Sequence, residues 1–157
     1  MKDITNEEKG CAKINLALHV TGIQSDGYHA LDSIVVFTDV FDRLFFKRSL
    51  KNVVTLTGEF SGAINVQENS ILQALKLFGN GLTDRFSINL EKNLPIGAGL
   101  GGGSADAAAV IRFITNNSKH LMPSYEVLSK IGADIPACVL SVASRVGGIG
   151  EIVRPLD

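Results

Sequence analysis

The chain has 157 residues, of which 45% are hydrophobic and 20% charged, with a net charge of -1. That length suits one domain with its own core, and the composition excludes a disordered chain. Near-neutral charge, 6% aromatic content and no Trp give no basis for a nucleic-acid or membrane-surface partner. The two cysteines, Cys11 and Cys138, fit no metal or redox spacing, and the polar N-terminus does not resemble a leader peptide. A cytoplasmic protein with free thiols is therefore expected. No apolar run nears the roughly 20 residues a membrane helix needs.

In chain order, residues 1–10 read as a frayed start. Residues 11–20 alternate, with Ile14, Leu16, Leu18 and Val20 on one apolar face, which predicts a strand. A loop with two glycines and Asp26 follows, then a second strand over 31–40. Short strands are expected at 43–47 and 52–57. At 69–78 the period changes to that of a helix, with Asn69 or Ser70 as N-cap and Gly79 past the end. A strand at 86–90, a helix at 104–115 and a shorter helix at 123–130 come next. The tail, 139–153, has strand-like stretches broken by Gly147, Gly148 and Gly150. Strands early and helices late make an α+β pattern rather than a strictly alternating one. His19 and His120 read as structural or surface residues, and Phe41, Phe45 and Phe46 as core.

The 16 glycines cluster, and five of them (Gly97, Gly99, Gly101, Gly102, Gly103) fall within seven residues of LPIGAGLGGGSAD, 94–106. Glycines let a backbone curl and approach a ligand closely. The unpaired N–H groups and positive dipole end of the helix that follows complete an anion site suited to phosphates. Ser104 is placed to cap that helix or to offer a hydroxyl to phosphate or metal, and Asp106 suits its first turn. A Walker A loop needs a lysine after its last glycine, and none is present. The dinucleotide fingerprint is matched by Gly97, Gly99 and Gly102. However, the loop lies late in the chain and no acid stands between Asp106 and Glu126, which argues against that reading.

Pro95-x-x-x-Gly99-Leu100-Gly101-Gly102-Gly103-Ser104-Ala105 resembles the ATP-binding motif of the GHMP kinases. AKINLALHVTGIQSDGYHALDSIV (12–35) and GADIPACV (132–139) are similar to the branch that acts on a diphosphocytidyl methylerythritol in non-mevalonate isoprenoid synthesis. The three stretches keep the family's order and span most of the chain, 11–155. The resemblance implies an α+β N-terminal domain of the ribosomal protein S5 domain 2-like kind. That domain has a mixed sheet, helices on one side and a left-handed β-α-β unit, although general rules favour right-handed crossovers. It also implies transfer of the γ-phosphoryl of ATP to a 2-hydroxyl, with Mg2+ accompanying the nucleotide.

Carried over by position, Asp134 would be the catalytic base and Lys13 its partner, while Asn15, Tyr28 and His29 would contact the substrate. Asn69 and Lys92 would lie by the adenosine. Pro95, Ile96, Gly97, Ala98, Gly99, Leu100, Gly101, Gly102, Gly103, Ser104 and Ala105 would wrap the phosphates. A carboxylate near the acceptor hydroxyl can take its proton, and a lysine beside it stabilises developing negative charge. An aromatic pair on a loop can stack on a pyrimidine and bond its edge. Read without the resemblance, Lys13 and Asn15 are solvated strand residues, Lys92 a solvated cation and Asp134 a turn residue bonding its own backbone.

Two rivals remain, another small-alcohol kinase and a nucleotide-binding domain without catalysis. Family members carry a second domain that supplies another glycine-rich stretch and closes the cleft. With only 1–157 present, weak nucleotide binding, little turnover and self-association through an uncovered apolar face are expected.

Overall fold

The computed structural model describes residues 6–23, 27–63, 70–79 and 84–157. Among the described residues six strands form one mixed sheet. Strand β1 (Asn6–Ile23) runs antiparallel to β2 (His29–Ser49) along almost its whole length. The other edge of β2 is divided. Its C-terminal part pairs with β4 (Arg85–Glu91), and its N-terminal part with β5 (Ser144–Gly148). Strand β3 (Val53–Thr57) lies parallel to β4, and β6 (Ile152–Pro155) closes the far edge against β5. The mixed-sheet α+β expectation holds.

Several boundaries differ from the sequence expectation. Asn6 and the next four residues are not frayed but pair with β2, because their charges are answered on the sheet. Arg43 bonds Glu7 at 2.8 Å and Lys9 sits over the Phe41 ring. The two strands expected at 31–40 and 43–47 are one strand. Of the three phenylalanines read as core, Phe46 is buried, while Phe41 and Phe45 are half-buried beneath Lys9 and Arg43.

Helix α1 (Ser70–Leu77) joins β3 to β4, as its period predicts. Helix α2 (Gly102–Asn117) is central: Ala105 to Ile111 are buried without a break. Four alanines in that run keep the helix thin, so it fits between the sheet, α1 and α4 (Ile135–Leu140). Phe113 stacks on Phe46 with centroids 3.8 Å apart and meets Phe86 edge-on at 5.2 Å, tying α2 to β2 and β4. Arg112 braces the other side, donating to the carbonyls of Lys9 (2.6 Å) and Cys138 (2.8 Å) and to Glu8. A short helix α3 (Tyr125–Ser129) leads into α4. Both cysteines are unpaired, and burial pushes the Cys138 thiol up to about 12.

Candidate active site

The loop before α2 rests on β1. Leu100 O accepts from Lys13 N at 2.8 Å, which fixes the middle of the glycine run to the strand. Gly97, Gly99 and Gly101 all have positive φ (73, 74 and 66°), a backbone that glycine enters at no steric cost. Gly101 is the N-cap of α2, with no side-chain cap bond, so the first amides of a 16-residue helix open toward the loop. Ile96 to Gly99 are exposed, whereas Gly101 and Gly102 are half-buried.

Lys13 is 3% exposed, contrary to the solvated reading, and the apolar row Ile14, Leu16, Leu18 and Val20 is the exposed one. The cause is a register irregularity between Cys11 and Lys13, followed by two more along β1. Such bulges break the strict alternation on which the face assignment relied. The buried Lys13 ammonium lies 3.3 Å from Asp134 Oδ1 and donates to Asn15 Oδ1. The Asp134 side chain is 43% exposed, so one carboxylate edge faces solvent beside the loop.

Asp134 stands in a turn, as its sequence context predicts, and is also the N-cap of α4; Pro136 occupies the first turn of that helix, where it costs no hydrogen bond. Its carboxylate makes no capping bond, which leaves it available to a ligand. A Cβ placed on Gly101 would stand 3.3 Å from Lys13 Cε and 3.5 Å from Asp134 Oδ2. One on Gly132 would stand 3.3 Å from Ser104 Oγ. Lys13, Asn15, Asp134, Gly101 and Ser104 therefore share one neighbourhood. Chemically it combines a carboxylate that can accept a proton, a buried cation, and unpaired amides that can hold phosphate oxygens.

Tyr28 and His29 are exposed near the tip of the β1–β2 hairpin, where His29 pairs with Ile23, farther along the ladder than Lys13. Asn69 lies outside the described residues. Lys92 is not a solvated cation: it is 3% exposed and bonded to Asp42 and, at 2.9 Å, to Asp106. Two positions that shape this neighbourhood had no sequence signal. Asp42 is one; Gly150 is the other.

Gly150 is buried with φ +116°, in the turn between β5 and β6. A Cβ there would come within 2.0 Å of Ala133 O, the carbonyl whose peptide continues into Asp134. Any side chain must displace that peptide. If the site transfers a phosphoryl group as the resemblance implies, Gly150→Ala is expected to lower that rate by about 10- to 100-fold, the scale of a roughly 1 Å misplacement, with much less effect on nucleotide affinity. Steady-state kinetics alongside calorimetry check this; equal losses in both would place the damage elsewhere.

Asp106 Oδ1 is buried without a partner, and Asp106 is pushed up to about 7. Burial is the largest cause, Lys92 opposes it, and the negative charge of Asp42 adds to it. Lys92 is itself raised: burial works against its charge, but the two carboxylates outweigh that. The folded state of Asp106 therefore holds a proton that the unfolded chain has lost above about 4. Stability falls as pH rises from about 4 to about 7 and levels off above. Asp106→Asn is expected to flatten this fall in thermal melts taken at pH 5 to 8, and parallel curves for the two proteins would refute it.

Among the described residues no group of three or more His, Cys, Asp or Glu side chains forms a metal cage, and no helix is long and apolar enough to cross a membrane. An open depression of about 690 Å³ is lined by Glu7, Glu8, Lys9, Cys11, Arg43, Arg112 and Ser141. In it Glu7 pairs with Arg43 and Glu8 with Arg112, and it contains none of the residues of the Lys13–Asp134 neighbourhood.

The profile of the GHMP kinases N terminal domain matches residues 69–149, just over half of the chain. The 4-diphosphocytidyl-2-C-methyl-D-erythritol kinase of Cereibacter sphaeroides is 42% identical over 146 residues, covering 92% of this chain and 51% of that protein. The enzyme of the same name from Rhizobium johnstonii is 44% identical over 157 residues, covering 95% and 52%. A crystal structure of 4-(cytidine 5'-diphospho)-2C-methyl-D-erythritol kinase superposes with a TM-score of 0.76 at 32% identity, over 96% of this chain and 55% of that one. Mevalonate pyrophosphate decarboxylase from Streptococcus pyogenes shares the fold, with a TM-score of 0.71 at 11% identity. The chain spans about half the length of the curated relatives it matches. The profile runs across the glycine loop, the buried helix α2 and Asp134, and with relatives more than 40% identical over most of its length the chain belongs to the GHMP kinases.

Proposed function

We propose that this chain is the ATP-binding part of a kinase that phosphorylates the 2-hydroxyl of 4-diphosphocytidyl-2-C-methyl-D-erythritol in non-mevalonate isoprenoid synthesis. The carrying observation is the Lys13–Asp134 pair at 3.3 Å, set against Gly101 and the start of α2. In this reading the loop amides and helix start hold the phosphates of ATP. Asp134 takes the hydroxyl proton as that oxygen bonds to the γ-phosphorus, the bond from that phosphorus to the bridging oxygen breaks, and ADP leaves. Lys13 stabilises the negative charge that develops and keeps Asp134 aimed. Asn15, Tyr28 and His29 bind the substrate, the latter two at the cytidine, and Asn69 borders the adenosine.

Magnesium suits this donor set as an ion carried by the nucleotide, since Ser104 and Asp134 offer oxygen ligands beside the loop. When bound it would neutralise phosphate charge. The exposed row Ile14, Leu16, Leu18 and Val20 is the surface we assign to a second domain; where uncovered, it would favour self-association. A cytoplasmic location accords with the substrate.

The test is a coupled ADP-release assay on the protein extended to the length of its curated relatives. Release with the diphosphocytidyl alcohol, and not with homoserine or mevalonate, supports the reading. Release only with the other alcohols would keep the family and discard the substrate.

A further inference from the structure

We propose that Asp42 is a positioning residue for the nucleotide, acting with Lys92 as a buried clamp that holds both ends of the glycine loop. The proposal rests on the loop being the phosphate site.

Asp42 is fully buried on β2, in the gap between the stretch that pairs with β4 and the stretch that pairs with β5. One of its oxygens, Oδ1, accepts from two consecutive backbone amides, Asn93 N at 2.6 Å and Leu94 N at 2.8 Å. These residues lead directly into Pro95 and the glycines. The other oxygen accepts from Lys92 Nζ. The same ammonium reaches Asp106 Oδ2 at 2.9 Å, in the first turn of α2. One cation thus ties the entry of the loop to the helix that leaves it.

The clamp is itself anchored. Lys92 N donates to Thr57 O at 2.7 Å, and a Cβ on Gly58 would collide with the Lys92 backbone at 2.6 Å. On the loop side, a Cβ on Gly102 would stand 3.0 Å from Lys92 Nζ, so the ammonium lies directly beneath the helix start. A flexible glycine run gains a defined shape when its two ends are fixed, and a preformed site avoids paying for ordering when ligand binds. Lys92 accordingly acts beneath the phosphates, through two carboxylates, rather than on the nucleotide itself.

The experiment uses the extended protein, with Asp42→Asn and Asp106→Asn, and titrates a non-hydrolysable ATP analogue with Mg2+ by calorimetry at a temperature where circular dichroism shows each variant folded. Asp42→Asn breaks the tie to Lys92, and Asp106→Asn loosens only the helix arm. The clamp predicts nucleotide affinity reduced about 10-fold or more in Asp42→Asn and about 3-fold in Asp106→Asn, with affinity for the diphosphocytidyl alcohol within about twofold of wild type. A melting temperature that drops while nucleotide affinity stays unchanged would overturn the proposal, because a merely structural role moves only the former. Should Asp42→Asn not fold, unchanged nucleotide affinity in Asp106→Asn overturns it alone. A wild-type protein that binds no nucleotide would instead overturn the reading of the loop.

Discussion

Asp134→Asn, made in the extended protein, is expected to reduce kcat by about 10²- to 10⁴-fold, the range that a positioned general base contributes. Asparagine keeps the size and the polar contact with Lys13 but cannot take a proton from the acceptor hydroxyl. The effect should fall on kcat and on kcat/KM equally, since the proton is transferred only as the reaction proceeds. Nucleotide affinity should hold within about twofold, because the amides proposed to hold phosphate belong to the loop and to α2 rather than to α4. The geometry makes this separation sharp. The carboxylate is 43% exposed, but its loss leaves the buried Lys13 ammonium with the neutral Asn15 Oδ1, so kcat is compared at a temperature where circular dichroism shows the variant folded. A variant retaining more than a tenth of wild-type kcat would remove Asp134 from the base role.

Gly101→Val should act on the other half of the reaction. Gly101 has φ +66°, where any side chain costs about 1–2 kcal/mol and a β-branched one is a steric outlier. The Cβ would stand 3.3 Å from Lys13 Cε, and the two valine methyls beyond it would press on the lysine or on Asp134 Oδ2. Both relaxations tilt the start of α2, whose amides are the proposed phosphate donors. Nucleotide affinity should fall about 100-fold or more by calorimetry. Gly62→Val serves as the control, because nothing lies within 4 Å of a Cβ there and its φ is not positive; its affinity should equal wild type. Comparable losses in both variants would mean that valine damages the fold generally, not the loop.

The parts of the site that could be read from the sequence are those made locally. The glycine run followed by SADAAAVIRFIT specifies its own loop and helix, and α2 forms where the pattern says, starting two residues earlier. The parts that could not be read depend on distant partners. Asp42 and Lys92 lie 50 residues apart, and neither position carries a pattern that announces the other. Lys13 looked solvent-facing because period-2 alternation was read through a bulge. In the structure the loop and Asp134 cover the lysine, and the neighbouring leucines face outward. The helix at Asp134 was hidden for a different reason. GADIP has the composition of a turn, yet proline in a first turn is also a helix start, and only the burial of Ile135, Ala137 and Cys138 against the core decides between them. Asn6 and its neighbours read as frayed because an edge strand built from Glu7, Glu8 and Lys9 has no apolar period; its support comes from Arg43, Arg112 and Phe41.

The central claim is that the glycine loop, the start of α2 and Lys13 form one nucleotide phosphate site. A titration of the isotopically labelled protein with a non-hydrolysable ATP analogue and Mg2+, followed by backbone amide resonances, tests it most directly. The largest shifts should fall on Gly99, Gly101, Gly102, Gly103 and Ser104, with Lys13 moving through its bond to Leu100. Amides that stay fixed there, while those around Glu7, Arg112 and Ser141 move, would contradict it.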